Sequence, residues 1–137
     1  MQARDLSIET GGRPSLTDLT AECGRFLDEV ANGGDGLLTV FVPHATAGVV
    51  VVELGAGSDA DLLATLQELL PPDDRWRHRH GRPGHGADHV LPLLASPSLT
   101  VPVIGGRMTL GTWQSVALLD PNEDNPRRTV RLSFLRG

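Results

Sequence analysis

A chain of 137 residues is the size of one ordinary domain. Twelve arginines and no lysine against 17 acidic residues leave a net charge of −5, which excludes a generic nucleic-acid binder because counterion release needs a basic footprint. No apolar run approaches the ~18 residues of a membrane span, the first residues carry no apolar secretion signal, and a lone Cys23 fits a reducing cytoplasm.

Residues 5–10 alternate, with Leu6 and Ile8 on one side, and predict a strand. A helix is expected over 16–31, where Leu16, Leu19, Cys23, Phe26, Leu27 and Val30 recur at helical spacing. Ser15 or Thr17 is its candidate cap and Asn32-Gly33-Gly34 its stop. Cys23 lies on the stripe and reads as core rather than nucleophile. Two β-branched runs, 37–42 and 48–53, flank Pro43-His44-Ala45-Thr46-Ala47 and predict strands buried on both faces. A second helix is expected at 59–70, with Ser58 and Asp61 at capping-box spacing. Its buried stripe would be Leu62, Leu63, Leu66, Leu69 and Leu70, and Pro71-Pro72 ends it.

Residues 71–88 read as a long polar loop, of the kind that is functional or disordered, and a short helical turn follows around 88–95. Gly84 and Gly86 argue against a helix at His85. Strands at 99–104, 107–110, 113–119 and 128–135 finish the chain. In the last, Val130, Leu132 and Phe134 alternate with Arg131, Ser133 and Leu135. Early helices and late hairpin-like returns predict one α+β domain over residues 1–137, with mainly antiparallel sheets.

The histidines are the first sign of chemistry. His78, His80, His85 and His89 are four of the five in the chain. Neutral imidazole is the commonest metal-binding side chain, and three such ligands leave a position open for water or substrate. The spacing matches no defined zinc motif, so a metal or acid–base set and a solvated polar loop are both open readings. His44 stands alone between two apolar runs, near the Thr46 hydroxyl. Glu53 ends the following strand, roughly 30 Å away along an extended chain, so local reasoning cannot join it to His44. Gly105, Gly106 and Gly111 suggest tight turns around Arg107 and Thr112-Trp113-Gln114. There Trp113 is either a core residue or a pocket wall, and Gln114 a polar reader of substrate. Arg127 and Arg128 close a turn rich in Asp120, Glu123 and Asp124. The planar arginine fork suits phosphate, and a solvated charged turn is the other reading.

Taken together, these segments resemble the YjbQ family. The carriers are PHATAGVVVVE at 43–53, WRH at 76–78, GHGADHVLPLLASPSLTVPV at 84–103, GRMTLGTWQSV at 106–116 and NPRRTVRL at 125–132. Gly-Thr-Trp-Gln at 111–114 is the most specific of them. The resemblance runs in order from about residue 5 to 136 and implies a compact α+β fold of β-sandwich character, assembled as a homotrimer with sites near subunit interfaces. It carries over to His44, Thr46, Glu53, His78, His89, Thr112, Trp113, Gln114 and Arg127. It makes His44, His78 and His89 a candidate triad for a divalent ion, zinc or magnesium/manganese. A weak thiamine-phosphate-synthase activity is attached to the family.

The chain also departs from the family pattern. Val52-Glu53-Leu54 stands where Asn-Glu-Asn is usual, His85 where Asn is usual, and Pro83 where an acid is usual. Two functions are therefore expected. One is a metal-dependent enzyme on a small phosphorylated molecule, with His44, Glu53 and Thr46 catalytic, Arg107 and Arg127 on phosphate oxygens, and Thr112, Trp113 and Gln114 on substrate. The other is a non-catalytic homotrimer that binds a metal or small ligand. Neither involves nucleic acid or membrane.

Overall fold

The computed structural model describes residues 1–121 and 123–137. The elements run β1 (Gln2–Glu9), β2 (Ser15–Asp18), α1 (Thr20–Val30), β3 (Gly36–Phe41), β4 (Gly48–Val52), α2 (Ser58–Leu69), β5 (Ser98–Ile104), β6 (Arg107–Met108), β7 (Ser115–Asp120) and β8 (Arg127–Arg136). Two short 3-10 turns, His85–Ala87 and Leu91–Leu93, lie between α2 and β5. The fold is α+β, as its sequence pattern implies. Two antiparallel sheets have the orders β1-β8-β3-β5-β6 and β2-β7-β4.

The main core lies between the sheets and α1. Alternation supplies it from β3 (Leu38, Val40), β5 (Val101, Val103), β7 (Val116, Leu118) and β8 (Val130, Leu132, Phe134). The inner face of α1 adds Cys23, Phe26 and Leu27. Full burial of such a side chain contributes about 1.5–3 kcal/mol, so an aliphatic core of this size needs few aromatics. Burial pushes the Cys23 thiol up to about 12, so it stays protonated and inert among its neighbours. A second cluster, Leu66, Leu91, Ala95 and Leu119, lies on the other face of β7, beneath α2.

Four expectations are corrected. Residues 15–18 form β2, paired with β7 from Ser15↔Asp120 to Asp18↔Ala117, so the first helix begins only at Thr20. Leu16 fits either the helical stripe or a strand, and pairing along the edge of β7 decides for the strand. The cap is neither Ser15 nor Thr17: Asp18 Oδ1 accepts the Thr20 N–H at 2.8 Å. β3 is fully buried on one face only, through Leu38 and Val40, while Leu37 and Phe41 on the other face remain partly exposed. α2 opens from Gly57 at φ 93° without the Ser58–Asp61 box. Of its leucines only Leu66 is fully buried, and Leu69 is 61% exposed. The stop of α1 is as expected, with Asn32 and Gly33 both at positive φ.

Candidate metal centre

After α2 the chain doubles back on itself, and glycine makes the doubling possible. Gly84 sits at φ 83°, and a Cβ there would lie 2.2 Å from the Pro72 carbonyl oxygen. A Cβ on Gly86 would lie 2.4 Å from Trp76 Cβ. The Trp76 indole N–H donates to the Pro71 carbonyl at 2.7 Å and ties the outgoing leg to the end of α2. The returning leg then forms the 3-10 turn at His85, since Gly84 in the left-handed region starts a turn rather than preventing one.

This doubling brings four imidazoles together. Ring centroids are 4.0 Å apart for His78–His80 and His78–His89, 4.8 Å for His85–His89, and 5.5–5.7 Å for the remaining pairs. The donor atoms of His78, His80 and His85 lie within 4.8 Å of one another. His89 Nε2 is 3.1 Å from His85 Nε2. Adjacent nitrogens on a tetrahedral ion are ~3.3 Å apart, from metal–nitrogen distances near 2.05 Å. Desolvation, then the neighbouring imidazoles, holds His78 and His89 below the usual histidine range. Neutral rings keep the lone pairs that metal binding needs.

Behind the rings stands a carboxylate layer. His85 is buried, and its Nδ1 lies 3.2 Å from Asp88 Oδ2 and 3.3 Å from Asp124 Oδ2, without the alignment of a hydrogen bond to either. Arg82 Nη2 donates to Asp88 Oδ2 at 2.9 Å. Burial raises the Asp88 carboxyl, against the pull of Arg82 and His85, and the charge of Asp120 adds to the rise. His78, Arg79 and Arg82 line a cleft of about 270 Å³ beside the cluster.

His44 belongs to a second polar centre. Its Nε2 accepts the Thr129 N–H at 2.9 Å, which leaves the proton of the neutral ring on Nδ1. Neither nitrogen then offers an outward lone pair, and His44 makes no ring contact with the four among the described residues. Burial, then Arg128, holds its pKa down, and Asp120 opposes. Thr46 is buried and its hydroxyl accepts from Arg128 Nη2 at 3.1 Å. Arg128 in turn grips Asp120 through Nε and Nη2 at 2.8 and 2.9 Å. Thr10 Oγ1 donates to the same carboxylate at 2.8 Å. Of the expected triad, His78 and His89 meet, and His80 and His85 complete the group in place of His44.

The remaining candidates lie on the surface of the single chain. Glu53 is exposed just past β4. Thr112 and Trp113 are exposed in the turn before β7, Trp113 at 75%. Gln114 Oε1 accepts the Gly111 N–H at 2.8 Å, and Gln114 shares a groove with Arg107 beside α1. Arg127 is an exposed ion pair with Glu9. The buried arginine is its neighbour Arg128, which the sequence places with Asp120 in a charged turn, read as phosphate-binding or solvated, and which the fold pairs with Asp120 inside; Asp88 and Arg82 had no sequence reading. One signal was available. Arg128 is in phase with Val130, Leu132 and Phe134 on β8, and Asp120 with Val116 and Leu118 on β7, so alternation turns both inward.

A family model described as UPF0047 protein YjbQ-like matches residues 4–137. The UPF0047 protein Rv2556c of Mycobacterium tuberculosis (strain H37Rv) is 67% identical over 132 residues, 96% of each chain. The UPF0047 protein YugU of Bacillus subtilis is 33% identical over 137 residues, covering 96% of this chain and 98% of its own. Among solved structures, the hypothetical protein APE1520 from Aeropyrum pernix K1 superposes with a TM-score of 0.89 at 33% identity over the whole of both chains. A YbjQ-like protein of unknown function, SSO2532 from Sulfolobus solfataricus P2, gives 0.91 at 23% identity, covering 99% and 97%, a likeness of fold.

Proposed function

This chain belongs to the YjbQ family, and from that premise we propose that it is a metal-dependent enzyme acting on a small phosphorylated substrate. The reaction suggested by the family resemblance is of the thiamine-phosphate-synthase type, joining a pyrimidine diphosphate to a thiazole phosphate with loss of pyrophosphate. The observation that carries the reading is the packing of four imidazoles within 5.7 Å of one another on a loop built to hold them. Among the expected ligands, His78 and His89 hold the divalent ion, together with His80 and His85. Three of these rings on the ion would leave its fourth position open, and there it would supply Lewis acidity to a departing diphosphate.

The chain's own groups have defined tasks in this reading. His44, neutral with its proton on Nδ1, donates to a substrate oxygen rather than acting as base, and Arg128 fixes Thr46 beside it. Glu53, Thr112, Trp113, Gln114, Arg107 and Arg127 bind substrate where a neighbouring subunit brings them to a site, because their exposure in one chain leaves them without a common pocket. A homotrimer fits the exposed apolar surface. Leu62, Leu69 and Leu94 line a groove of about 310 Å³ beside β4, the edge strand of its sheet. Apolar edges of this kind associate readily. No helix among the described residues is long and apolar enough to cross a membrane.

Elemental analysis of protein purified without chelator or nickel should find about one ion per chain, lost in His89→Ala. Metal-free wild type, even after soaking in zinc, would sink the reading. The second reading, a non-catalytic ligand-binding trimer, is favoured by one observation: His44 presents no basic nitrogen. In the enzyme, His44→Ala should abolish turnover of phosphorylated substrates with assembly unchanged and stability lowered by only about 1–3 kcal/mol, the cost of the unpaired Thr129 N–H. Unaltered turnover would remove His44 from the site.

A further inference from the structure

Asp88 is 3% exposed and His85 6%, so the two face each other out of water. His85 stands where the family usually has Asn, and the resemblance carries no role over to Asp88. We propose that Asp88, locked by Arg82, is the positioning residue of an all-imidazole metal centre. With Asp124 it holds the proton of His85 on Nδ1 and turns Nε2 toward His89. This inference rests on the metal reading above and deepens it.

Three observations converge on it. First, both carboxylates lie on the Nδ1 side of His85, at 3.2 and 3.3 Å, while Nε2 lies 3.1 Å from His89 Nε2 on the opposite side. A neutral imidazole carries one proton, and carboxylates, which can only accept, keep it on the nitrogen they face. Second, the Nδ1 atom is buried, and the acceptors that face it are the two carboxylates, which stand within reach of its proton though not aligned as a hydrogen bond. Third, Asp88 is not free to swing into the cluster, because Arg82 Nη2 binds the same Oδ2 that faces His85. Asp88 is therefore held behind His85, and the ligands the loop offers the ion are imidazole nitrogens. Such a set suits zinc and its late first-row neighbours, whereas magnesium takes oxygen ligands. Outer carboxylates that orient a histidine ligand govern affinity strongly: their loss weakens binding by about 10–100-fold.

The test is titration of the metal-free chain with Zn(II) against a chromophoric chelator, with Co(II) absorption as a second readout. Wild type should take one Zn(II), undisturbed by millimolar Mg(II). Asp88→Asn should bind about 10–100-fold more weakly and shift the Co(II) visible bands, with a lowered metal-free melting temperature because Arg82 loses its buried partner. Asp88→Asn within threefold of wild type and with unchanged Co(II) bands would overturn the proposal while leaving the metal reading intact. Failure of the wild type to bind Zn(II) would sink both. Should Asp88→Asn not fold, Asp124→Asn decides, because its carboxylate is 40% exposed and its change opens no buried ion pair. A loss of threefold or more there supports the outer layer, and none overturns it.

Discussion

Arg128→Met should destabilise the protein by about 3–5 kcal/mol, the cost of leaving one partner of a buried ion pair without the other. Arg128 is 2% exposed and Asp120 0%, so neither charge can recover its hydration. The pair joins the two sheets, since Asp120 ends β7 and Arg128 is the second residue of β8. Thr10 and Thr46 add hydrogen bonds to it, which ties the segment after β1 and the His44 turn to the same point. Equilibrium urea unfolding measures the effect, and a loss under ~1 kcal/mol would mean that water reaches the pair. Arg128→Met with Asp120→Leu should recover much of the loss, because a matched apolar pair leaves no buried charge. The double variant should still lose the Thr46 contact and with it the setting of His44.

Gly84→Ala should cost roughly 2–6 kcal/mol, the sum of two independent terms. A non-glycine residue at φ 83° is strained by about 1–3 kcal/mol. Its Cβ, at 2.2 Å from the Pro72 oxygen and 2.4 Å from the carbonyl carbon, also has to displace backbone, at a further ~1–3 kcal/mol. Gly105→Ala separates the terms, since that site has φ 58° and nothing within 4 Å of a Cβ. It should show the strain alone. Thermal melting reads stability, and zinc stoichiometry reads the loop. In Gly84→Ala the returning leg lifts off the outgoing one, so zinc binding should fall with stability, whereas Gly105→Ala should bind as wild type does. Equal melting temperatures for the two variants would show that the loop is not packed at Gly84.

The division between local and tertiary information runs through particular residues. The alternation of Val130, Leu132 and Phe134 fixes the inward face of β8 before any partner strand is known, because side chains on a strand point to opposite faces by turns. The β-branched runs, the stop of α1 at Asn32-Gly33, the aliphatic core and the crowding of four histidines are likewise local properties, and all were readable from the order of residues. The α+β class follows from them. Other features depend on what the fold lays alongside. Leu16 can serve a helix or a strand, and only the free edge of β7 makes it β2. The leucines of α2 are uniform in sequence, yet the narrow second core covers Leu66 and leaves Leu69 in water. Arg127 and Arg128 are equivalent as a dipeptide, and one meets Asp120 inside while the other meets Glu9 outside. The family resemblance puts His44 in a metal triad, but in the fold the Thr129 amide occupies its nitrogen. His78 and His80 reach His85 and His89 because two glycines let the loop's legs touch. Periodicity and composition are properties of a segment. Burial, charge pairing and tautomer are set by which other segment arrives, and that is decided only when the sheets close.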